Sequence, residues 1–116
     1  MTPADRSFLL RGEEMHRTYV IAEVIVRDQE KYDREFVPVA RQAHQRFGVH
    51  MLVRTDVAET LRSETPYSRI VLMEFPNRDA VYEWHKSPEM HHAFEIAKKC
   101  ANDIMIRILD GVEEKT

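Results

Sequence analysis

The amino-acid sequence predicts one α+β domain whose elements follow in the order β-α-β-β-α-β. Three observations lead to this prediction. The chain has 116 residues, of which 43% are apolar and 32% charged, as expected for one globular domain. Four segments alternate apolar residues with a period of two, which is typical of strands. Between them, other segments place apolar residues three and four positions apart, which is typical of amphipathic helices.

The first strand and first helix are predicted from adjacent segments. Residues 18–27 are rich in β-branched residues and alternate between two apolar faces. Asp28 can cap the helix that follows. Its apolar stripe consists of Tyr32, Phe36, Val39, Ala40, Ala43 and Phe47. Gly48 is expected to end this helix, Pro38 to kink or restart it, and His44, which lies between stripe positions, to face solvent.

Two further strands follow, joined by a turn at residues 63–66. The second strand is predicted over residues 49–62, with a ragged far end. One face of this strand is expected to carry His50, Leu52 and Arg54, and the other face is expected to carry Met51, Val53 and Thr55. The third strand is predicted over residues 69–75. Val71, Met73 and Phe75 share one of its faces, and Ile70, Leu72 and Glu74 share the other.

The last third of the sequence predicts two short helices and a final strand. Asn77 can cap a helix that runs to Lys86, and Ser87-Pro88 can begin a second helix whose stripe reaches Ala101. The last strand is predicted over residues 102–109. Trp84 and Phe75 are expected in the helix-facing core, and Cys100 is expected to pack as a small apolar group.

This order of elements is the ferredoxin-like pattern, with strand order 4-1-3-2 and both helical segments on one face of the sheet. The other face, called the open face here, stays uncovered in one chain. It is predicted to carry Tyr19, Ile21, Glu23, Ile25, His50, Leu52, Arg54, Ile70, Leu72, Glu74, Met105, Arg107 and Leu109. Soluble monomers rarely expose so much apolar surface, so we expect a homodimer through the open face.

Composition argues against several classes of function. The net charge of −3 is unfavourable for nucleic-acid binding, and no apolar run is long enough to span a membrane. A single cysteine excludes a disulfide or a cysteine-based zinc site within one chain. The six histidines lack the spacing of a helical metal clamp, and no glycine-rich phosphate loop is present, so neither a metal nor a cofactor is expected. Residues 1–14 lack a signal-peptide core, which favours a cytoplasmic protein.

One part of the sequence resembles a known family. The motifs are Tyr19 to Val26 (YVIAEVIV), Phe47-Gly48, Leu52-Val53-Arg54 and the run EFPNRDAVYEWHKSPE. With these motifs, residues 18–112 resemble the DUF1330 family of the dimeric α+β barrel superfamily. The family tends to have two glycines where this chain has Thr55-Asp56, and tyrosine where it has Met90. Residues 1–17 are then predicted as a flexible arm and residues 113–116 as a charged tail.

The resemblance implies a ferredoxin-like fold and a dimer more firmly than it implies an activity. Related barrel families include heme-free monooxygenases, isomerases and cyclising enzymes, which place substrate between the sheet and the helices. This resemblance leaves two functions open. One is a cofactor-independent enzyme that acts on a small organic acid or aromatic compound. The other is a non-catalytic dimer that binds a metabolite or another protein.

Charged side chains on the predicted open face are the candidate site. The candidate catalytic residues are Glu23, His50, Arg54, Glu74 and Arg107, and the candidate substrate-binding residues are Tyr19, Trp84 and His85. Glu23 would neighbour the strand of Arg107, and Glu74 the strand of Arg54. These could be structural ion pairs in a dimer interface. Alternatively, they could form a pocket in which arginine holds a carboxylate or enolate while glutamate or histidine transfers a proton.

Overall fold

The computed structural model describes residues 17–55, 59–64 and 69–111. The predicted arm, apart from Arg17, and the predicted tail lie outside these residues. The elements are β1 (Thr18–Val26), α1 (residues 29–46), β2 (His50–Thr55), β3 (Arg69–Phe75), α2 (Arg78–His85), α3 (Pro88–Ala97) and β4 (Ala101–Asp110). None of the helices within the described residues combines the length and apolar character needed to cross a membrane.

The four strands form one antiparallel sheet with the order β2-β3-β1-β4, so the predicted ferredoxin-like topology is confirmed. The central strands β1 and β3 pair directly, with Val20 opposite Met73 and Ile21 opposite Leu72. Because side chains alternate along a strand, Val20 and Met73 face the helices while Ile21 and Leu72 face away.

The first helix contains a π-helical turn immediately before Pro38. Asp28 caps the helix by accepting the amide proton of Lys31, and a short α-helical turn over Gln29–Lys31 follows. The π turn covers Tyr32–Phe36 and is closed by the amide of Val37, which donates to the carbonyl of Tyr32. Regular α-helix then runs over Val37–Arg46. Pro38 has no amide proton to donate to the carbonyl four residues earlier, and its ring clashes with the preceding turn. These two effects account for the predicted irregularity.

The second strand differs from its prediction in length and in register. It ends at Thr55 rather than near residue 62. Pairing with β3 shifts between Met51 and Val53, so Leu52 is the additional residue of a β-bulge. Beyond the bulge, Arg54 lies opposite the helix-facing Val71, and Val53 lies opposite Leu72. The prediction that Arg54 shares the open face with His50 was therefore wrong, because the bulge reverses the alternation.

The helix boundaries largely follow the predicted caps. Asn77 accepts the amide of Ala80, and Ser87 accepts the amide of Met90, so both predicted N-caps are confirmed. Gly48 follows α1 with φ = 67°, a conformation that suits glycine. Ala101 was predicted at the end of the last helix stripe but instead begins β4.

The core lies between the helices and the inner face of the sheet. Trp84 is 2% exposed and packs edge-to-face on Phe75, with ring centroids 5.2 Å apart. Val20, Met73 and Cys100 are also buried. Burial raises the pKa of the Cys100 thiol, as expected for a cysteine that packs as an apolar group. The predicted core positions of Trp84, Phe75 and Cys100 are confirmed.

We predict that Trp84→Ala lowers the free energy of unfolding by about 3–5 kcal/mol, because it leaves a cavity beneath Phe75. Trp84→Phe keeps an aromatic ring and should cost clearly less. Chemical denaturation of the three proteins measures both effects. A loss below about 1 kcal/mol for Trp84→Ala would show that the indole does not support the core.

Candidate functional site

A cavity of about 80 Å³ lies between the sheet and the helices. We call it the inner cavity. Most of its wall is apolar and comes from both layers of the fold; it includes Val24, Phe36, Ala40, Met73, Trp84 and Phe94. The π turn of α1 contributes Tyr32 and Phe36, so the irregularity before Pro38 shapes one side of it. Enclosed apolar cavities with a few polar groups are the usual form of small-molecule sites.

A larger open depression of about 400 Å³, the outer groove, adjoins the inner cavity. Arg41, His44, Met51 and Arg54 line both spaces and therefore form the boundary between them, which we call the mouth. Arg41 and His44 are three residues apart on α1 and share a helix face. Arg54 reaches the mouth from β2 because of the bulge at Leu52.

The mouth is positively charged. Arg41 and Arg54 are exposed, and neither forms an ion pair within the described part of the chain. Among the described residues, no carboxylate lines the inner cavity or the outer groove. Two guanidinium groups beside an apolar cavity suit an anionic group on a small organic molecule.

His44 is uncharged at neutral pH. Burial, and to a lesser extent the nearby positive charges of Arg41 and Arg54, lower the pKa of its imidazole to about 4. Its ring centroid lies 6.1 Å from that of Trp84. The expectation that His44 faces solvent was wrong, because its partly buried ring lines the inner cavity beside Trp84. A neutral imidazole at the mouth can accept a proton.

A buried arginine lines the inner cavity but is already neutralised. Arg69 is 5% exposed, and its Nη1 lies 2.9 Å from Oδ1 of Asp33. Its guanidinium carbon lies 4.7 Å from the centroid of the Tyr32 ring. Burial raises the pKa of Tyr32 to about 12, although the charge of Arg69 opposes this shift. Tyr32 therefore stays protonated, and the arginine's charge is matched by Asp33.

Four polar side chains meet on the open face and form what we call the Glu74 cluster. The Tyr19 hydroxyl donates to Oε2 of Glu74 at 3.3 Å. Nδ1 of His50 lies 3.3 Å, and Nη1 of Arg17 3.4 Å, from Oε1 of the same carboxylate. Partial burial, and then the negative charge of Glu74, raise the pKa of Tyr19. The cluster lies on the opposite side of the sheet from the inner cavity.

The two predicted cross-strand ion pairs do not form. Arg54 and Glu74 lie on opposite faces of the sheet because of the bulge. Glu23 pairs with Met105 and Ile70 across the sheet, whereas Arg107 lies opposite Ile21. The Arg107 Nε donates to Sδ of Met105 at 3.0 Å. Both ion-pair predictions were therefore wrong, although Glu23, Glu74 and Arg107 do lie on the predicted face.

The candidate site residues are thus divided between two places. Tyr19, Glu23, His50, Glu74 and Arg107 lie on the open face. Arg54 and Trp84 line the inner cavity instead.

His85 belongs to neither set. It is exposed and its ring lies 5.4 Å from that of Phe94. Residues 17–55, 59–64 and 69–111 contain no cluster of three His, Cys, Asp or Glu side chains that could hold a metal ion.

Three cavity residues were missed as site candidates from the sequence: Arg41, His44 and Arg69. The first two had a usable signal, since a charged and a titratable residue three positions apart on an amphipathic helix share a face. Arg69 begins a strand whose positions 71, 73 and 75 face the core, so alternation alone could have placed it inward.

Residues 17–112 match the model of a protein family described as "domain of unknown function (DUF1330)". This chain belongs to the DUF1330 family. The resemblance seen in the sequence is therefore confirmed. Among proteins with curated descriptions, none matches this DUF1330 chain.

Solved structures confirm the fold. A protein of unknown function from Rhodopseudomonas palustris matches with a TM-score of 0.72 at 13% identity, over 98% of this chain and 96% of that one. A Caulobacter crescentus protein, provisionally described as an antibiotic biosynthesis monooxygenase, matches with a TM-score of 0.66 at 18% identity. The match covers 91% of this chain and 99% of that one. A dimeric ferredoxin-like protein of unknown function from Jannaschia sp. CCS1 matches with a TM-score of 0.64 at 15% identity. The match covers 80% of this chain and 97% of that one.

We predict that His44 makes the protein less stable as the pH falls from about 6.5 to about 4. The pKa of His44 is about 4 in the folded protein and near the ordinary value of 6.5 in the unfolded chain. The unfolded chain therefore takes up a proton first, and stability that is present above 6.5 is lost through this window. His44→Gln should flatten that part of the profile of unfolding free energy against pH.

The matched control for this measurement is His92→Gln, because His92 is an exposed residue of α3. It should leave the profile between pH 6.5 and 4 unchanged. Equal profiles for wild type and His44→Gln would contradict the partly buried, neutral imidazole.

Proposed function

We propose that the inner cavity and its mouth are the active site of a cofactor-independent enzyme that transfers a proton to or from a small organic molecule. One observation carries the proposal: an uncharged His44 lies at the mouth beside Arg41 and Arg54, which form no ion pairs within the described residues. In the free protein the low pKa makes His44 a weak base, but an anionic substrate group beside Arg41 and Arg54 offsets their charge and makes the imidazole more basic, while the arginines stabilise the anion that forms.

The proposed chemistry needs only these side chains. A ring nitrogen of His44 accepts a proton from a carbon next to a carbonyl, or from a phenolic oxygen. The bonding electrons stay on the substrate as an enolate or phenolate. Arg41 and Arg54 stabilise that negative charge, and it in turn stabilises the protonated imidazole. Return of the proton to another atom of the substrate completes an isomerisation and consumes no further reactant.

Hydrogen–deuterium exchange is the most direct test, because it detects proton removal without knowledge of the product. Pyruvate, 2-oxobutyrate, acetoacetate and simple phenols would be incubated with the protein in D₂O, and loss of their carbon-bound hydrogens (next to the carbonyl, or on the ring beside the phenolic oxygen) would be followed by NMR, since O–H hydrogens exchange without catalysis. We predict that wild type accelerates exchange for at least one of them. His44→Gln should lower the accelerated rate by at least about 100-fold, the usual range for loss of a general base.

Two control variants make this result specific. His92→Gln removes an exposed histidine that lines neither the inner cavity nor the outer groove, and should retain exchange. Glu74→Gln tests the competing location on the open face and should also retain it. Loss of exchange in Glu74→Gln, with full activity in His44→Gln, would move the site to the Glu74 cluster. Binding of these compounds without exchange in wild type would favour the non-catalytic function instead.

We also propose that the open face is covered by a second copy of the chain. The face carries Ile21, Ile70, Leu72 and Met105 at its centre, and Leu109 is 40% exposed near its edge. The Jannaschia protein of the same fold is described as dimeric, which supports this proposal. In such a dimer the Glu74 cluster would lie in or beside the interface as a structural contact.

We predict that Leu72→Arg dissociates the dimer, because it places an unpaired charge in an apolar contact. Leu61→Arg is the matched control, since Leu61 is 94% exposed and lies outside the sheet. Sedimentation velocity at micromolar concentration measures both. A wild-type monomer, or a Leu72→Arg protein that remains a dimer, would contradict the proposed interface.

A further inference from the structure

We infer that the ligand is a short-chain monocarboxylate, with its carboxylate at the mouth between Arg41 and Arg54 and about three carbons inside the inner cavity. The inference rests on the proposed location of the site. It adds the chemical class, the orientation and the size of the ligand, which the proposed reaction leaves open.

The mouth selects a carboxylate. Guanidinium groups bind two oxygens of a planar carboxylate through paired hydrogen bonds, and the side chains of Arg41 and Arg54 border the same opening. No described carboxylate of the protein competes for them there. A neutral amide of the same shape gains little from this charge. The head group is therefore anionic and stays at the opening, where both arginines remain partly hydrated.

The cavity selects a single anionic group. Arg69 is the positively charged side chain farther inside, but Asp33 already neutralises it at 2.9 Å. A second carboxylate there would have to displace Asp33 and lose its own hydration among apolar side chains such as Val24, Phe36 and Met73. The inner end of the ligand is therefore apolar, which favours a monocarboxylate over a dicarboxylate.

The volume limits the length of the apolar part. An apolar cavity of about 150 Å³ holds a benzene ring of six carbons. By proportion, the cavity of about 80 Å³ holds about three carbons. Butyrate, with three carbons beyond its carboxylate, fills this space. A longer chain or an aromatic ring would have to displace Ala40, Met73 or their neighbours, which overpacks the core.

NMR titration of wild type with the straight-chain acids from acetate to octanoate, at constant ionic strength, tests the length rule. We expect affinity to rise about fourfold for each added methylene up to butyrate, and to gain nothing from hexanoate or octanoate. Butyramide, the matched neutral compound, should bind at least about tenfold more weakly than butyrate.

Two variants assign these preferences to residues. Ala40→Leu fills part of the cavity and should move the best ligand from butyrate to a shorter acid. Arg54→Gln should reduce the preference for butyrate over butyramide and leave the dependence on chain length unchanged. Thermal unfolding of each variant would show that it is folded. Even if a variant does not fold, the titration of wild type with the straight-chain acids and butyramide is enough to support or overturn the inferred ligand class.

Affinity that keeps rising through octanoate, or equal binding of butyrate and butyramide, would overturn the inference. Failure of every acid to bind would overturn it as well. His44-dependent exchange of the ring hydrogens of a phenol, in a protein that binds no short acid, would leave the proposed function standing and remove only this ligand class. Binding of butyrate with no His44-dependent exchange of any compound would support the ligand class and contradict the catalytic function.

Discussion

A single additional residue in an edge strand decides which side of the sheet carries the chemistry of this protein. Leu52 interrupts the pairing of β2 with β3, and every side chain beyond it changes face. Arg54 consequently leaves the Glu74 cluster and joins Arg41 and His44 on the helix side of the sheet. Without the bulge, the mouth would keep one arginine and the open face would gain a charge in its apolar surface.

The site depends on helix α1 as much as on the bulge. Its π turn before Pro38 brings Tyr32 and Phe36 to the cavity wall, and the regular helix that follows presents Arg41 and His44 at the mouth. Asp33, on the same π turn, neutralises the buried Arg69. The two mouth arginines lack such a partner among the described residues, so their charge is available to a ligand; it also adds to the burial that keeps His44 deprotonated.

The fold could be predicted from the sequence because its signals are local. Alternation defined β1 and β3, Asp28, Asn77 and Ser87 marked helix starts, and the strand order followed from the pattern of elements. The site could be predicted only in part. Trp84 and Arg54 were recognised, but Arg54 was assigned to the wrong face, since nothing in HMLVRT marks where the bulge falls. His44 was misplaced because its burial depends on the sheet that packs over it, a tertiary effect that helix periodicity does not contain.

The central claim is that ligand binds on the helix side of the sheet, at the mouth formed by Arg41, His44 and Arg54, and not on the open face. A crystal structure of the protein with saturating butyrate tests it most directly. The account predicts a carboxylate hydrogen-bonded to Arg41 and Arg54, with the hydrocarbon chain directed toward Met73. Butyrate bound at the Glu74 cluster, with the inner cavity unoccupied, would contradict it.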